Sequence, residues 1–446
     1  MNAADDAFAD GCVLVRGRTI DYVGPRDGLP DGPVDERIDA RGTIVMPGLV
    51  NAHTHLCMLF GRGLATDVDL LRWLDVQMPL MRALDDEDLY LAQLLGCVEN
   101  LRNGNTCVVE NLFMPRRADG DAATAAFRAM RDAGVRGTVA RAHETRVFAP
   151  EFIEDMAQVE RAVEHLAQHW HGSHDGRLRL SFGPLLPWSI TADELRTTAA
   201  LARRLGLGLH MHVAESPEFN RLVAVHHGRP IRQVELLAET GCLGPHVQAV
   251  GVSDVSPQEL ALLQASGTSV VFDPPTRLFW GTGFPSLRPF LDAGIACALA
   301  TNGPAANCGQ DLFESMKYAC AIAKTATGDP AALPARRALR MATIEGARAL
   351  GLDAVVGSLE VGKEADVITV SAHQPHLSPM HDVPAALVFS ARGADVRDVL
   401  VQGRVRMRER RLVDIDEAAL VERARQAAGQ AARRAGIGAS TAGGRN

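Results

Sequence analysis

Short runs of β-branched and other apolar residues alternate with amphipathic stretches from the middle forties of the chain to about residue 300. Apolar runs of this length predict strands, whereas apolar residues at every third or fourth position predict helices. The alternation is typical of repeated βα units, and parallel strands joined by helical crossovers close most simply into a (β/α)8 TIM barrel. The eight predicted strands are Thr43–Val50, Thr106–Val109, Gly137–Ala140, Leu178–Phe182, Leu207–Val213, Val247–Val252, Ser269–Phe272 and Ile295–Ala300.

The two ends of the chain follow a different pattern. Cys12–Gly24 near the N-terminus predicts strands joined by tight turns. Ala365–Val370 and Asp398–Met407, near the C-terminus, predict further strands with no helix between them. These segments predict one small β domain that is built from both chain ends.

The change of pattern places the domain boundaries. We expect the small β domain to comprise residues 1–46 and 355–412, and the catalytic (β/α)8 barrel to comprise residues 47–354. From Glu417 an Ala/Arg-rich stretch predicts a helix. Residues 413–446 are therefore expected to form a C-terminal helix followed by a disordered tail.

Composition and charge bound the class of protein. The 446 residues are 47% apolar and 22% charged, which is enough apolar side chain for a large core. The formal net charge of −8 argues against nucleic acid or an anionic membrane as a partner. No basic segment precedes an apolar run at the N-terminus, and no apolar stretch of roughly 18 residues occurs, so we expect a soluble, cytoplasmic protein. The eight cysteines form no C-x-x-C pair and are expected to be free, buried thiols.

Histidines lie at or just after the ends of three predicted strands. His143 follows the third strand, and we interpret it as a supporting or core residue. His53 and His55, at the end of the first strand, share one side of the chain because side chains alternate along a strand. The fifth strand contains His210 and His212, with Glu215 three residues later. The C-terminal ends of barrel strands meet at one face, so these imidazoles and the carboxylate predict a metal site there. We interpret His210 as a supporting or core residue.

Several motifs resemble the amidohydrolase superfamily. They are Pro47–His55 (PGLVNAHTH), Arg62–Asp67 (RGLATD), His212–Glu215 (HVAE), Arg340–Leu352 (RMATIEGARALGL) and Gly357–Val367 (GSLEVGKEADV). The chain is most similar to the aminohydrolase branch, which includes S-adenosylhomocysteine and methylthioadenosine deaminases, guanine deaminase and triazine chlorohydrolases. The resemblance extends from about Val13 to Leu412.

The resemblance implies a metal-dependent hydrolase. In that branch one divalent metal, usually zinc or iron, is bound by the H-x-H pair, by the histidine of H-x-x-E and by an aspartate after strand 8. Carried over to this sequence, His53, His55 and His212 are metal ligands. A hydroxide on the metal attacks a ring carbon of a small heterocyclic substrate, and Glu215 is the proton shuttle. The branch also implies a homo-oligomer.

Five positions depart from the branch pattern. The altered positions are Asn302 for the strand-8 aspartate, Val250 or Gly251 for a strand-6 histidine, Phe272 for a strand-7 histidine, Leu185 for a strand-4 histidine and Met81 for a substrate-binding glutamate.

The replacement at residue 302 removes a base. Asn302 falls at the fourth metal-ligand position, but an amide cannot accept the proton of the attacking water. Asp273, at the end of the neighbouring strand, is the nearest candidate for this catalytic role. The alternative is that Asp273, which precedes Pro274, only forms a turn. Three histidines with water remain a recognised catalytic zinc set, so the site is expected to be weakened rather than lost.

The candidate substrate-binding positions are apolar. They are Met81, Leu185, Trp188 and Phe272. Trp188 and Phe272, together with Phe279 and Trp280, predict an aromatic barrel mouth that suits a flat or hydrophobic ligand. The alternative is that the aromatic residues among them pack against one another above the barrel.

The sequence leaves two hypotheses open. The first is a hydrolase with a weakened mononuclear metal site, which acts on a C–N or related bond of a small heterocycle. The second is a metal-free protein on the same scaffold, with a non-hydrolytic or ligand-binding role.

Overall fold

Eight parallel strands form the central sheet of the molecule, as a computed structural model of the chain shows. The structure describes residues 2, 6–113, 116–117, 120–146, 152–282 and 286–437. The strands are hydrogen-bonded in chain order, with the first and the last at the two ends of the sheet. These two are joined beyond their ends, where the backbone N–H of Asn302 donates to the carbonyl oxygen of His53 at 3.0 Å. The predicted α/β class and the (β/α)8 TIM barrel are confirmed.

The barrel strands are numbered 1 to 8 in chain order. They are Leu49–Thr54, Asn105–Leu112, Arg136–His143, Leu178–Pro184, Gly208–Val213, Val247–Gly251, Ser269–Phe272 and Cys297–Leu299.

The first predicted strand is in fact two strands. Thr43–Pro47 belongs to a separate antiparallel sheet, and barrel strand 1 begins at Leu49. The chain passes between the two sheets at Gly48, where an added Cβ would lie 2.1 Å from Oγ1 of Thr106. The prediction joined the two strands because apolar residues continue from Ile44 to Val50, and only the close approach at Gly48 separates the strands.

Helices lie between the barrel strands along the chain and after the eighth strand, and the final helix follows the last strand of the chain. The α-helical segments are Leu70–Ala83, Asp86–Arg102, Ala122–Ala133, Met156–Trp170, Ser173–Gly176, Ala192–Leu205, Pro217–His227, Gln233–Thr240, Pro257–Ser266, Pro274–Phe279, Arg288–Asp292, Pro304–Asn307, Leu312–Thr327, Ala335–Met341, Ile344–Ala349, Val383–Phe389 and Glu417–Arg434.

The second sheet is antiparallel and draws on both ends of the chain. Its five strands, in spatial order, are Arg411–Leu412, Arg404–Arg408, Val396–Val401, Val367–Ser371 and Thr43–Pro47. The N-terminal hairpin, Gly11–Arg16 with Thr19–Pro25, is a separate two-stranded sheet. It packs on the five-stranded sheet through a small apolar cluster that includes Ile20, Ala365 and Val367. The domain boundaries at residues 46, 355 and 412 stay a proposal that agrees with this arrangement.

One expectation about the C-terminal strands was wrong. Ala365–Val370 and Asp398–Met407 are not joined by turns alone, because the helix Val383–Phe389 lies between them. Leu387 and Val388 of this helix are buried, so tertiary packing rather than local periodicity stabilises so short a helix.

The remaining predictions concern the chain as a whole. The predicted C-terminal helix is present as Glu417–Arg434, whereas the predicted disordered tail after residue 437 lies outside the described residues. In the described ranges, every helix is too short or too polar to cross a membrane. The eight cysteines are free, and six are buried as expected, but Cys12 is half-buried and Cys308 is exposed.

Candidate active site

Three histidines converge at the C-terminal ends of barrel strands 1 and 5. Each of His53, His55 and His212 offers a ring nitrogen, and these nitrogens lie within 4.8 Å of one another. The ring centroid of His53 lies 4.7 Å from that of His55 and 4.8 Å from that of His212. Ring nitrogens at this separation can bind one ion between them after small side-chain adjustments.

The rings are held in defined orientations by their second nitrogens. Nδ1 of His55 donates to the backbone carbonyl oxygen of Asn111 at 2.6 Å, so its Nε2 carries the free lone pair. Nδ1 of His53 lies 2.8 Å from Nε2 of His210. Nε2 of His53 is buried and has no hydrogen-bond partner among the described residues. This is how metal-binding histidines are usually oriented, and the orphaned nitrogen shows that the three residues fit a metal ion.

Burial keeps these imidazoles neutral. It lowers the pKa of His55 to about 3 and that of His212 to about 4, and it lowers the pKa of His53 well below its ordinary value. A neutral imidazole has the lone pair that a metal requires. At neutral pH the cluster therefore offers three ligands without first losing protons.

Asp273 and Asn302 form a pair across the ends of strands 7 and 8. Nδ2 of Asn302 donates to Oδ2 of Asp273 at 2.6 Å, and Oδ1 of Asn302 accepts the backbone N–H of Gly303 at 2.6 Å. Asn302 has a φ of 62°, an uncommon value for a residue with a side chain. Its carbonyl oxygen accepts hydrogen bonds from Thr54 at 3.0 Å and from Gln310 at 2.8 Å, which hold this conformation. A carboxylate thus stands beside the neutral amide that replaces the expected aspartate.

Arg277, which sequence analysis missed, joins this site. It lies on the helix Pro274–Phe279 and its side chain is only 3% exposed. Nη2 donates to Oε1 of Glu215 at 2.9 Å, and Nε donates to Oδ1 of Asp273 at 3.3 Å. An arginine four residues after an aspartate at a helix start is a recognisable ion-pair spacing, but nothing in the sequence directs that arginine to Glu215.

Glu215 lies just beyond strand 5, three residues after His212, and accepts a hydrogen bond from Arg277. Burial raises the pKa of its carboxyl to about 7, although the positive charge of Arg277 opposes this shift. A carboxyl that titrates near neutral pH can both donate and accept a proton under physiological conditions. Glu215 therefore has the properties of a general acid–base residue.

The four predicted substrate-binding residues are all buried. Met81 lies on the helix Leu70–Ala83, and Leu185 follows strand 4. The ring of Trp188 stacks on His226 with centroids 5.4 Å apart, and the ring of Phe272 contacts Phe290 edge-on at 5.6 Å. Trp188 and Phe272 thus contact His226 and Phe290 rather than each other, and substrate binding by any of the four stays a prediction.

The two alternatives for the missing strand-6 histidine occupy different surroundings. Val250 belongs to an apolar layer inside the barrel together with Ala52 and Val271. Gly251 lies against Arg277 and Glu215. At the end of strand 6, Val250 therefore has apolar neighbours, whereas Gly251 adjoins the guanidinium of Arg277.

A family model and full-length relatives agree with this geometry. Residues 44–406 match the amidohydrolase family. The 5-methylthioadenosine/S-adenosylhomocysteine deaminase of Pelotomaculum thermopropionicum is 33% identical, covering 96% of this chain and 95% of that protein. The 5'-deoxyadenosine deaminase of Methanosarcina acetivorans is 36% identical over 90% of this chain and 89% of its own length. The chain belongs to the amidohydrolase family.

Solved structures place the chain among the same amidohydrolases. A zinc-bound adenosine deaminase from Xanthomonas campestris superimposes with a TM-score of 0.85 at 30% identity, covering 95% of this chain and 94% of that one. A zinc complex of atrazine chlorohydrolase from Arthrobacter aurescens gives a TM-score of 0.88 at 25% identity, covering 94% and 95%. The predicted resemblance is confirmed, and this amidohydrolase is a hydrolytic enzyme that acts on C–N bonds of small molecules.

Proposed function

We propose that this amidohydrolase binds one divalent metal through His53, His55 and His212 and hydrolyses a C–N or related bond of a small, rather apolar heterocycle. The observation that carries the proposal is the convergence of three neutral imidazoles, two of them with their outer nitrogens fixed by Asn111 and His210. When bound there, a divalent ion acidifies a water molecule and supplies the nucleophile at neutral pH.

Two carboxylates divide the proton transfers. Glu215 is the acid–base residue that delivers a proton to the heterocycle, because its carboxyl titrates near neutral pH. Asp273 takes over proton acceptance from the aspartate that residue 302 lacks. Asn302 does not act as a base; its amide donates to Oδ2 of Asp273 and holds that carboxylate in place.

The altered positions support the proposed class of substrate. Met81 and Leu185 replace two polar residues, so a polar nucleoside loses partners and an apolar heterocycle is favoured. We further propose zinc or iron as the metal, a homo-oligomer as the assembly and the cytoplasm as the location.

The decisive experiment combines metal loading with a substrate panel. Protein freed of metal is reconstituted with zinc or iron, and release of ammonia or chloride is followed from amino- and chloro-substituted triazines, pyrimidines and purines. We expect metal-dependent turnover of at least one small apolar compound. Glu215→Gln should lower kcat by roughly 100-fold or more while metal stays bound, since Glu215 moves protons and does not bind the ion.

Glu218→Gln is the matched control for this variant. Glu218 is more than half exposed and, among the described residues, forms its ion pair with Arg221 at the surface, so kcat should not change. Turnover by metal-free protein, or full activity of Glu215→Gln, contradicts the proposal.

Two features of the site favour the alternative in which no metal is bound. Asn302 is neutral, and the guanidinium of Arg277 lies at the site, and both features disfavour a cation. If reconstituted protein takes up no metal at all, the proposed metal site at the three histidines is wrong, and hydrolysis must proceed without a divalent ion there.

A further inference from the structure

The guanidinium of Arg277 bridges the two carboxylates of the site. It donates from Nη2 to Oε1 of Glu215 at 2.9 Å, from Nη1 to the backbone oxygen of Glu215 at 3.3 Å, and from Nε to Oδ1 of Asp273 at 3.3 Å. The side chains of Arg277 and Asp273 are 3% and 2% exposed, whereas that of Glu215 is 12% exposed. Two carboxylates held close together at the ends of strands 5 and 7 repel each other, and a permanently charged, planar guanidinium between them offsets this repulsion.

Hydrogen bonds occupy three of the four carboxylate oxygens of Asp273 and Glu215. Oδ1 of Asp273 accepts from Arg277 and Oδ2 accepts from Asn302. Oε1 of Glu215 accepts from Arg277, while Oε2 accepts no hydrogen bond from any residue that the structure describes. Two contacts to one residue, at the side chain and at the backbone oxygen, also fix the rotation of the Glu215 side chain. On Glu215, Oε2 is thus the oxygen left for a proton in transit, whereas Asp273 accepts a proton through the second lone pair of an oxygen that already accepts a hydrogen bond.

The space for the guanidinium exists because residue 251 is glycine. A Cβ at Gly251 would lie 2.6 Å from Nη2 of Arg277 and 2.6 Å from Cγ of Glu215. The backbone of Gly251 has a φ of 98°, which a residue with a side chain rarely adopts. A side chain at this strand-6 position would therefore force the guanidinium and the side chain of Glu215 to shift.

We propose that Arg277 is the positioning residue of this active site, which holds Glu215 with Oε2 free for proton transfer in the space that Gly251 leaves open. The proposal rests on the function proposed above. The side-chain hydrogen bonds of Arg277 to described residues all go to Glu215 and Asp273, so it acts through the two carboxylates.

Kinetics of Arg277→Ala test the positioning role. With the best compound of the panel, we expect kcat to fall by roughly 100-fold and KM to change by less than about threefold, because proton transfer and not binding is impaired. Arg277→Lys should recover part of kcat, since lysine keeps the charge but not the planar fork. Added guanidinium chloride at about 10 mM should also restore turnover of Arg277→Ala, whereas sodium chloride at the same ionic strength should not.

Cobalt binding supplies a readout that does not depend on turnover. A merely structural arginine would, when removed, loosen the site and weaken Co²⁺ binding. Loss of a positioning cation should instead leave Co²⁺ affinity equal or higher, because one positive charge near the ion is gone. The visible spectrum of bound Co²⁺ shows whether its ligands are retained. Arg288→Met is the matched control, since Arg288 is an exposed arginine that pairs with Asp292 of its own helix.

A double-mutant cycle tests the role of Gly251. Gly251→Ala should displace the guanidinium and lower kcat about as much as Arg277→Ala, and the double variant should cost little more than either one. In urea unfolding, Gly251→Ala should cost more stability when Arg277 is present than in the Arg277→Ala background. The strain of the backbone is common to both backgrounds, so the difference reports the clash with the guanidinium.

The outcomes separate the two proposals. An active, metal-binding wild type with unchanged Arg277→Ala kinetics, or with strictly additive effects at residues 251 and 277, overturns the positioning role alone. Wild-type protein that binds neither zinc nor Co²⁺ and turns over nothing overturns the proposed function, and the role of Arg277 with it.

Discussion

The side-chain amide of Asn302 donates a 2.6 Å hydrogen bond to the carboxylate of Asp273. The anion that relatives are expected to provide after strand 8 is thereby supplied from the end of strand 7, with the amide as its donor. An aspartate at residue 302 would instead bring two carboxylates together, which is unfavourable unless a proton or a cation lies between them.

Asn302→Asp should therefore make folding depend on metal. We expect the metal-free variant to be destabilised by about 1–3 kcal/mol, because a buried hydrogen bond becomes a repulsion. Zinc affinity should rise by about tenfold or more, which corresponds to about 1.4 kcal/mol. Urea unfolding with and without zinc measures the first effect, and competition with a chromogenic chelator measures the second.

The exchange variant Asp273→Asn/Asn302→Asp is the control for that change. It keeps one amide and one carboxylate in contact but reverses their order, so metal-free stability should return towards that of the wild type. If Asn302→Asp changes neither stability nor zinc affinity, residues 273 and 302 do not face the histidine cluster.

Metal occupancy should be incomplete in the protein as purified. Three imidazoles without an anionic ligand bind zinc or iron less tightly than a set that includes aspartate. We expect less than one equivalent of metal by elemental analysis, and removal of that metal by EDTA within a short dialysis. A full equivalent that survives EDTA would show that another group completes the site.

His210 should control metal affinity without binding the metal. Nε2 of His210 lies 2.8 Å from Nδ1 of His53. This contact fixes the ring of His53, whose own Nε2 is the proposed metal ligand. His210→Ala should weaken zinc binding by roughly 10- to 100-fold, the range typical for residues that support a metal ligand. His143→Ala is the control, because His143 is equally buried but bonds to Thr198 at 3.1 Å. Equal losses in both variants would mean that only general packing is affected.

Adenosine, S-adenosylhomocysteine and guanine should be poor substrates in spite of the relatives' names. Met81 and Leu185 stand where that branch is expected to have polar groups, and a purine nucleoside without those partners is badly oriented. Ammonia release from each compound should stay well below roughly 1 per second with zinc-loaded protein. A rate of that order for any of the three would refute this prediction, and would show that other residues bind the purine.

The barrel strands and the shared side of His53 and His55 could be predicted because the sequence patterns that indicate them are local. Strands and helices differ in the spacing of apolar residues, and His53 and His55 lie on one side of a strand by simple alternation. Their meeting with His212 followed from the rule that strand ends of a barrel share one face. The short helix Val383–Phe389 and the break at Gly48 could not be predicted, since distant packing partners decide both.

The sequence by itself determined the fold class and the family, together with which three histidines meet at the barrel mouth. Only the tertiary structure decided that Asn302 bonds to Asp273, that His210 supports His53 from 157 positions away, and that Arg277 enters the space beside Gly251. Each of these relationships joins side chains from different strands or helices. Their geometry depends on Ångström-scale distances between elements, which residue spacing along one strand or helix does not encode.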